Sequence, residues 1–368
     1  MNDTNSFTLF EHTSRQLRNL CDEAGFPPTD DTAVDMLREL LGAGGERRLS
    51  DGPSWPSDVA DDATPVEFSV ALDDTGENAV RVLGEVIAEK PSMAANVVAA
   101  RRFLDSVSDR LEIPTDRFDA VQDLFLPEQP QGKFAFWYSL IFRPNAKPKL
   151  KVYFNPGARG EDRAAELVAE GFRRLGMDEA YDSATEHSVH RPGQDRFTFF
   201  AVDLDDSPTS RVKLYISHYS ATVEEVVRAS QAVDGLDVDS IRDFCRVLGG
   251  DTVSFDGRPL ISSYSFVDAD PKRPGNYSLY LPIRDYVADD AEARERVAEF
   301  LSGRGSDPAG LDRALRALTD RPLTEGRGLL AHVSLRLGRF GTGTTIYLSS
   351  EGYEVLPPRA GTRAATGV

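Results

Sequence analysis

Four short stretches of the chain place polar residues and tyrosines at alternate positions. They read KLKVYFNP, RVKLYISHY, NYSLYLPI and TTIYLSS. Their tyrosines are Tyr153, Tyr215, Tyr280 and Tyr347, separated by 62, 65 and 67 residues. Side chains on a strand alternate between faces, so residues i and i+2 look the same way. Lys151 therefore shares a face with Tyr153, and Arg211 and Lys213 share one with Tyr215. Ser278 goes with Tyr280, and Thr345 with Tyr347. Arg81, in NAVRVLGEVI, lies 72 residues before Tyr153 and fits the same slot of an earlier copy. Arginine and lysine together suit a strong anion such as a diphosphate, arginine as a fork and lysine as a point charge. A tyrosine ring stabilises a cation over its face by about 0.5–2 kcal/mol. A surface with both groups suits a reaction in which an anion leaves and a carbocation must be kept from water.

The opposite face of the same strands is uniformly apolar: Val152, Phe154, Val212, Leu214, Ile216, Leu279, Leu281, Ile346 and Leu348. That face should pack under helices, which leaves the polar face pointing inward. Five strand pairs can be read. They are Pro65–Leu72 with Asn78–Gly84, Phe134–Arg143 with Lys149–Asn155, Arg196–Leu204 with Arg211–Ser217, Pro259–Val267 with Asn276–Pro282, and Leu329–Gly338 with Thr344–Ser349. Each is rich in β-branched and aromatic residues and broken by Gly, Pro, Asp or Asn. Helical spacing marks the stretches between them: Ala94–Leu111, Glu161–Leu175, Thr222–Val233, Val238–Leu248, Ala288–Leu301 and Pro308–Leu318. A near-constant period over five copies is the mark of an internal repeat. Ten antiparallel strands gain by closing, because closure removes unpaired edges, and a barrel of that size can hold a ligand. The expected fold is an α/β barrel, antiparallel strands inside and helices outside, in a single domain over 1–368. Two helical segments, Phe7–Ala24 and Thr32–Leu41, and a Gly/Pro-rich loop over Gly42–Pro65 form a lead-in over 1–64, and 359–368 is expected to be a disordered tail.

Bulk properties narrow the partners. The chain has 368 residues and a formal net charge of −18, from 60 acidic and 42 basic residues. Such acidity repels nucleic acid and anionic membranes, so neither is an expected partner. No apolar run reaches the ~18 residues needed to span a bilayer. The N-terminus has no basic stretch followed by an apolar core and does not read as a signal peptide. Cys21 and Cys245 are the only cysteines and lie in separate helical segments, which argues against a disulfide framework and for a reducing cytoplasm. The expected partners are small molecules, in a monomer or homodimer.

Together PVEFS, VRVLGEVI, LKVYFNP, RVKLYISHY, YSLYLP and TTIYLSS, in this order, resemble the aromatic prenyltransferases of the ABBA-barrel type. The likeness is to the indole branch, the dimethylallyltryptophan synthases, in its shorter bacterial form, and runs from about Pro65 to Ser349. It implies transfer of a dimethylallyl group from dimethylallyl diphosphate to the indole of tryptophan or a close derivative, with no metal or other cofactor. It implies that Glu67 accepts a hydrogen bond from the indole N–H and is the one candidate base. Arg81, Lys151, Arg211 and Lys213 would bind the diphosphate, and the four tyrosines would shield the cation. Ser278 stands where many fungal members carry glutamine. Arg196 could bind a carboxylate of the acceptor, and Arg336 could add to the cationic site. A cyclic dipeptide, an indole alkaloid or a phenol as acceptor stays open, as does a non-catalytic barrel that binds an anionic aromatic ligand.

Other motifs have simpler readings. Asp73, Asp74 and Glu77 spell DDxxE, which can hold Mg²⁺ against a diphosphate. Gly76 and Asn78 instead mark a hairpin turn there. The glycines of GRFGTGTT have the wrong spacing for a nucleotide loop. The five histidines show no metal-ligand spacing.

Overall fold

All five strand pairs form in the computed structural model, which describes residues 7–72 and 79–359. The barrel strands are β1 (Val66–Ala71), β2 (Val80–Gly84), β3 (Phe136–Phe142), β4 (Lys149–Phe154), β5 (Asp195–Leu204), β6 (Arg211–His218), β9 (Leu260–Val267), β10 (Asn276–Leu281), β11 (Leu330–Gly338) and β12 (Gly343–Ser349). Two further strands, β7 (Ala221–Thr222) and β8 (Ser254–Phe255), make a small ribbon outside it. The ten pair antiparallel in the closed order β1-β12-β11-β10-β9-β6-β5-β4-β3-β2. The seam is a full register, Glu67 opposite Ser349 through Ala71 opposite Thr345.

Helices clad the outside. They are α1 (Leu9–Glu23), α2 (Thr32–Gly45), α3 (Met93–Leu111), α4 (Asp116–Phe125), α5 (Ala164–Arg174), α6 (Ala180–Thr185), α7 (Val223–Ser230), α8 (Val238–Gly249), α9 (Asp290–Gly303) and α10 (Ala309–Leu318). Local signals start several of them. Thr8 and Glu11 form a reciprocal capping box on α1, Ser92 caps α3 and Asp289 caps α9. Helices α4 and α6 were not anticipated from spacing. The first is short and aromatic, and Phe118 and Phe125 of it stack on Phe154 of β4. Among the described residues no helix is long and apolar enough to cross a membrane.

The nine apolar residues expected beneath the helices are all fully buried. Burial of each such side chain contributes about 1.5–3 kcal/mol. Tyr264 and Tyr277 sit on this outer face too, where their hydroxyls donate to Ala229 O and Val226 O of α7. The hydrophobic core thus lies between sheet and helices, and the lumen is free to be polar.

The lead-in is tied to the far end of the chain. Gln16 Nε2 donates to Leu318 O at 3.0 Å and Asn19 Nδ2 to Ala317 O at 2.9 Å, so α1 packs on the last helix. The stretch expected to be a loop from Gly42 begins as helix. Gly42, at φ 49°, kinks α2, which then runs on to Gly45. Of the expected tail, Arg359 is held by its N–H to Ala288 O at 2.9 Å. The rest of that tail, and Asp73, Asp74 and Glu77 of the DDxxE sequence, lie outside the described residues.

Candidate active site

The four repeat tyrosines meet in the lumen as a continuous layer. Ring centroids are 5.7 Å apart from Tyr153 to Tyr215, 5.7 Å from Tyr215 to Tyr280 and 5.6 Å from Tyr280 to Tyr347. Each comes from the second strand of its pair, so the repeat period in sequence becomes one shared height in the barrel. Arg81, from β2, joins the same layer. Ser69 of β1 is its register partner on one side and that of Tyr347 on the other. Burial lowers the Arg81 pKa, and Arg211 and Arg143 add to this, while the hydroxyls of Tyr347 and Tyr153 oppose it.

On one side of this layer the lumen is cationic. Lys213 Nζ lies 5.0 Å from the Tyr215 ring centroid and Lys151 Nζ 5.9 Å from that of Tyr153. Both lysines are buried. Burial, with Arg211 close by, pushes Lys151 down to about 8. Burial and the charges of Lys151 and Arg211 push Lys213 well below the usual lysine range. One carboxylate answers them. Asp203 of β5, buried and opposite Lys151 in the β4–β5 register, lies 3.0 Å from Lys151 Nζ and accepts from Arg211 Nε at 2.7 Å. Despite the opposing cost of burial, these cations hold Asp203 far below the ordinary carboxylate range. Ser278 is buried nearby, with Arg336 as its register partner on β11.

On the other side the lumen opens into a cavity of about 830 Å³. Its walls are aromatic, with Trp137 and Phe199 5.4 Å apart and Phe199 edge-on to Tyr215 at 5.6 Å. Glu67 of β1 faces this cavity and is 5% exposed. Its carboxyl makes no hydrogen bond among the described residues, and burial raises it to about 8, with Asp61 adding and Arg284 opposing. Trp137 Nε1 is buried too and is directed towards the Glu85 carboxyl.

A strap formed by residues 55–63 lines the mouth. Trp55 Nε1 and Ser57 Oγ donate to Glu85 at 3.2 and 2.6 Å, which fixes the strap to the end of β2. Burial raises Glu85 to about 7. Asp61 on the strap takes both Nε and Nη2 of Arg284, at 2.8 and 3.2 Å, and pairs with Arg258 at 2.7 Å. Arg284 also donates to Ala331 O at 2.7 Å.

Most residues singled out in the sequence therefore meet in one lumen. Glu67 looks into the cavity, the tyrosines and Arg81 form the dividing layer, and Lys151, Arg211, Lys213 and Ser278 lie beyond it. Arg196 stands apart. It is exposed, its Nε donates to Gly193 O at 2.9 Å, and its guanidinium lies 5.1 Å over the Tyr219 ring, so it is held at the rim and does not line the cavity. Asp203, Arg284, Asp61 and the strap escaped the sequence reading. Asp203 alone had a signal: two positions beyond Ala201, it continues the inward face of β5.

Residues 10–313 match the family model described as tryptophan dimethylallyltransferase. The 6-dimethylallyltryptophan synthase from Micromonospora olivasterospora, solved in complex with DMASPP and Trp, is 49% identical at a TM-score of 0.91, over 96% of this chain and 100% of that one. The 5-dimethylallyltryptophan synthase from Streptomyces coelicolor, also with DMASPP and Trp, is 38% identical at 0.88, over 98% and 99%. The prenyltransferase PriB, as a ternary complex with L-tryptophan and dimethylallyl thiolodiphosphate, is 37% identical at 0.88, over 96% and 99%. With a family model over most of its length and relatives matched end to end, the chain belongs to the tryptophan dimethylallyltransferase family.

Proposed function

We propose that this protein transfers the dimethylallyl group of dimethylallyl diphosphate to the indole ring of L-tryptophan, without a metal ion. The observation that carries the proposal is the stacking of three functions along one lumen. A cation cluster lies beneath a layer of phenols, and the buried Glu67 carboxyl lies above it in an aromatic cavity. Relatives described with a dimethylallyl donor analogue and tryptophan bound support the choice of substrates.

The steps follow from the residues. The donor's diphosphate sits on Lys151, Arg211 and Lys213, with Arg81 and Ser278 completing its contacts. The allylic C–O bond breaks, and its electron pair leaves with the diphosphate. These cations take up charge that a metal would otherwise meet, as fixed donors that need no reorganisation. The allyl cation is left among the faces of Tyr153, Tyr215, Tyr280 and Tyr347, which stabilise it and exclude water. The indole lies across the layer with its N–H donating to Glu67. That bond favours the ionised carboxyl, raises electron density in the ring and fixes its attitude. The ring attacks the cation to form the new bond to the prenyl carbon. The resulting arenium ion passes its ring proton to Glu67 or to the departing diphosphate.

The test is a product assay by mass spectrometry with dimethylallyl diphosphate and L-tryptophan, one tube with EDTA and one with Mg²⁺. Tryptophan heavier by one C5H8 unit in both tubes is expected. Product with Mg²⁺ alone would overturn metal independence. Prenylation of other indoles or phenols but not of tryptophan would overturn the acceptor.

A further inference from the structure

A site that receives a diphosphate has no evident use for a buried carboxylate, yet Asp203 sits in the middle of the cations. It comes within 3.0 Å of Lys151 Nζ, accepts from Arg211 Nε at 2.7 Å, and takes the Arg211 backbone N–H at 3.2 Å. The charged and titratable groups that face it are Lys151 and Tyr153 from β4 and Arg211 and Lys213 from β6. Three cations against one anion leave the empty site positive. Without Asp203 the buried Lys151 and Lys213 and the partly exposed Arg211 would have no counter-ion between them among the described residues, a costly state for the two lysines.

We propose that Asp203 is a resident counter-ion that competes with diphosphate for Lys151 and Arg211, so that it holds these cations in place when the site is empty and weakens the grip on diphosphate enough for the product to leave. The inference rests on the reading of this cluster as the diphosphate site. Two anions cannot share the same lysine and arginine without repelling each other where the lysine and one of the anions are buried. A bound diphosphate therefore meets Asp203 as a like charge, and part of its affinity is lost to that repulsion. Asp203 is a positioning residue here: it acts through Lys151 and Arg211 and touches no reacting carbon.

The experiment measures inhibition by inorganic diphosphate, varied against the prenyl donor, in wild type, Asp203→Asn and Asp203→Ser. A serine already faces the lumen opposite Lys213, at Ser265 of β9, so the smaller polar residue has a precedent in this barrel. At about pH 6.5, below the Lys151 value of about 8, both variants should bind diphosphate about tenfold more tightly than wild type. Towards about pH 9 the gain should shrink, because Lys151 without its carboxylate loses its proton more readily. The empty variants should melt lower than wild type, and diphosphate should raise their melting temperature by more. A merely structural Asp203 would give lower melting with no tighter binding. That result, or two variants that fail to fold even with diphosphate present, overturns the proposal. If diphosphate does not inhibit wild type, the diphosphate reading of the cluster falls, and this proposal with it.

Discussion

The two sides of the tyrosine layer solve the problem of buried charge in opposite ways. Below it, Lys151 and Arg211 are satisfied within the protein by Asp203, and all three stay ionised or close to it. Above it, Glu67 is buried with no hydrogen-bond partner among the described residues and sits near 8, so it keeps its proton through neutral pH when the site is empty. A paired group is ready before its ligand arrives, at the cost of competing with it. An unpaired group waits for its ligand to satisfy it and favours one that can donate a hydrogen bond. The lower side is therefore built to take up an anion and let it go again, the upper to discriminate among neutral rings.

Substitutions sharpen this contrast. The largest effect is expected at the unpaired group. Glu67→Gln should cut turnover about a hundredfold or more, read as kcat with tryptophan, while the melting temperature does not fall. The sign of its pH effect follows from the raised value. The unfolded chain releases the Glu67 proton near 4.5 and the folded protein only near 8, so wild type loses stability between those values and Glu67→Gln does not. The melting gap between them should widen across that window and stay constant above it. A variant that simply unfolds would make Glu67 a structural residue.

Next comes the cationic side. Lys213→Ala should raise KM for the donor roughly 10- to 100-fold and leave KM for tryptophan nearly unchanged, since one hydrogen bond between charged groups is worth about 1.5–3 kcal/mol. Equal changes in both constants would break the separation of the two regions. A smaller, graded effect belongs to pH. A lysine is charged below its pKa, so diphosphate inhibition of wild type should weaken as pH rises through about 8, where Lys151 loses its proton.

The layer itself should show the smallest losses. Tyr280→Leu removes one ring face and about 0.5–2 kcal/mol of cation stabilisation, and should raise the share of prenyl alcohol among the products. Tyr280→Phe keeps the face and should change turnover by no more than about threefold on the same scale. A large loss with phenylalanine would mean that the hydroxyl, not the ring, is what matters at that height.

Much of this arrangement was legible because a strand has a period of two and the chain repeats it. Tyr153 and Lys151 needed only their spacing and the apolar Val152 and Phe154 between and beside them. Contacts fixed far along the chain gave no such signal. Asp61 meets Arg284 across 223 positions, and nothing local to a Gly/Pro-rich stretch marks it as the strap of a cavity. Arg196 was expected at the acceptor from its place at the start of β5 and not from the face rule. Parity counted from Ala201 and Asp203 puts position 196 on the other face, the register slips between Phe197 and Phe199, and a carbonyl and a tyrosine face hold the side chain at the rim. Helix α4 was hidden for another reason. Its aromatic residues serve the sheet beneath, and DRFDAVQDLF is too short for its period to stand out.

Because the apolar packing lies outside the sheet, the residues that keep this protein folded and the residues that do its chemistry are two nearly separate sets. Most enzymes carve their site into the core that stabilises them, so a new specificity often leaves a hole in the packing. Here an inward-facing residue such as Ser69, Ser278 or Ala201 can be exchanged without disturbing the Leu, Val and Phe layer on the far side of the same strand. The barrel wall works as a partition between two sets of side chains, one tied to packing and one free of it, and a change of acceptor can be reached through the lumen while the scaffold stays as it is.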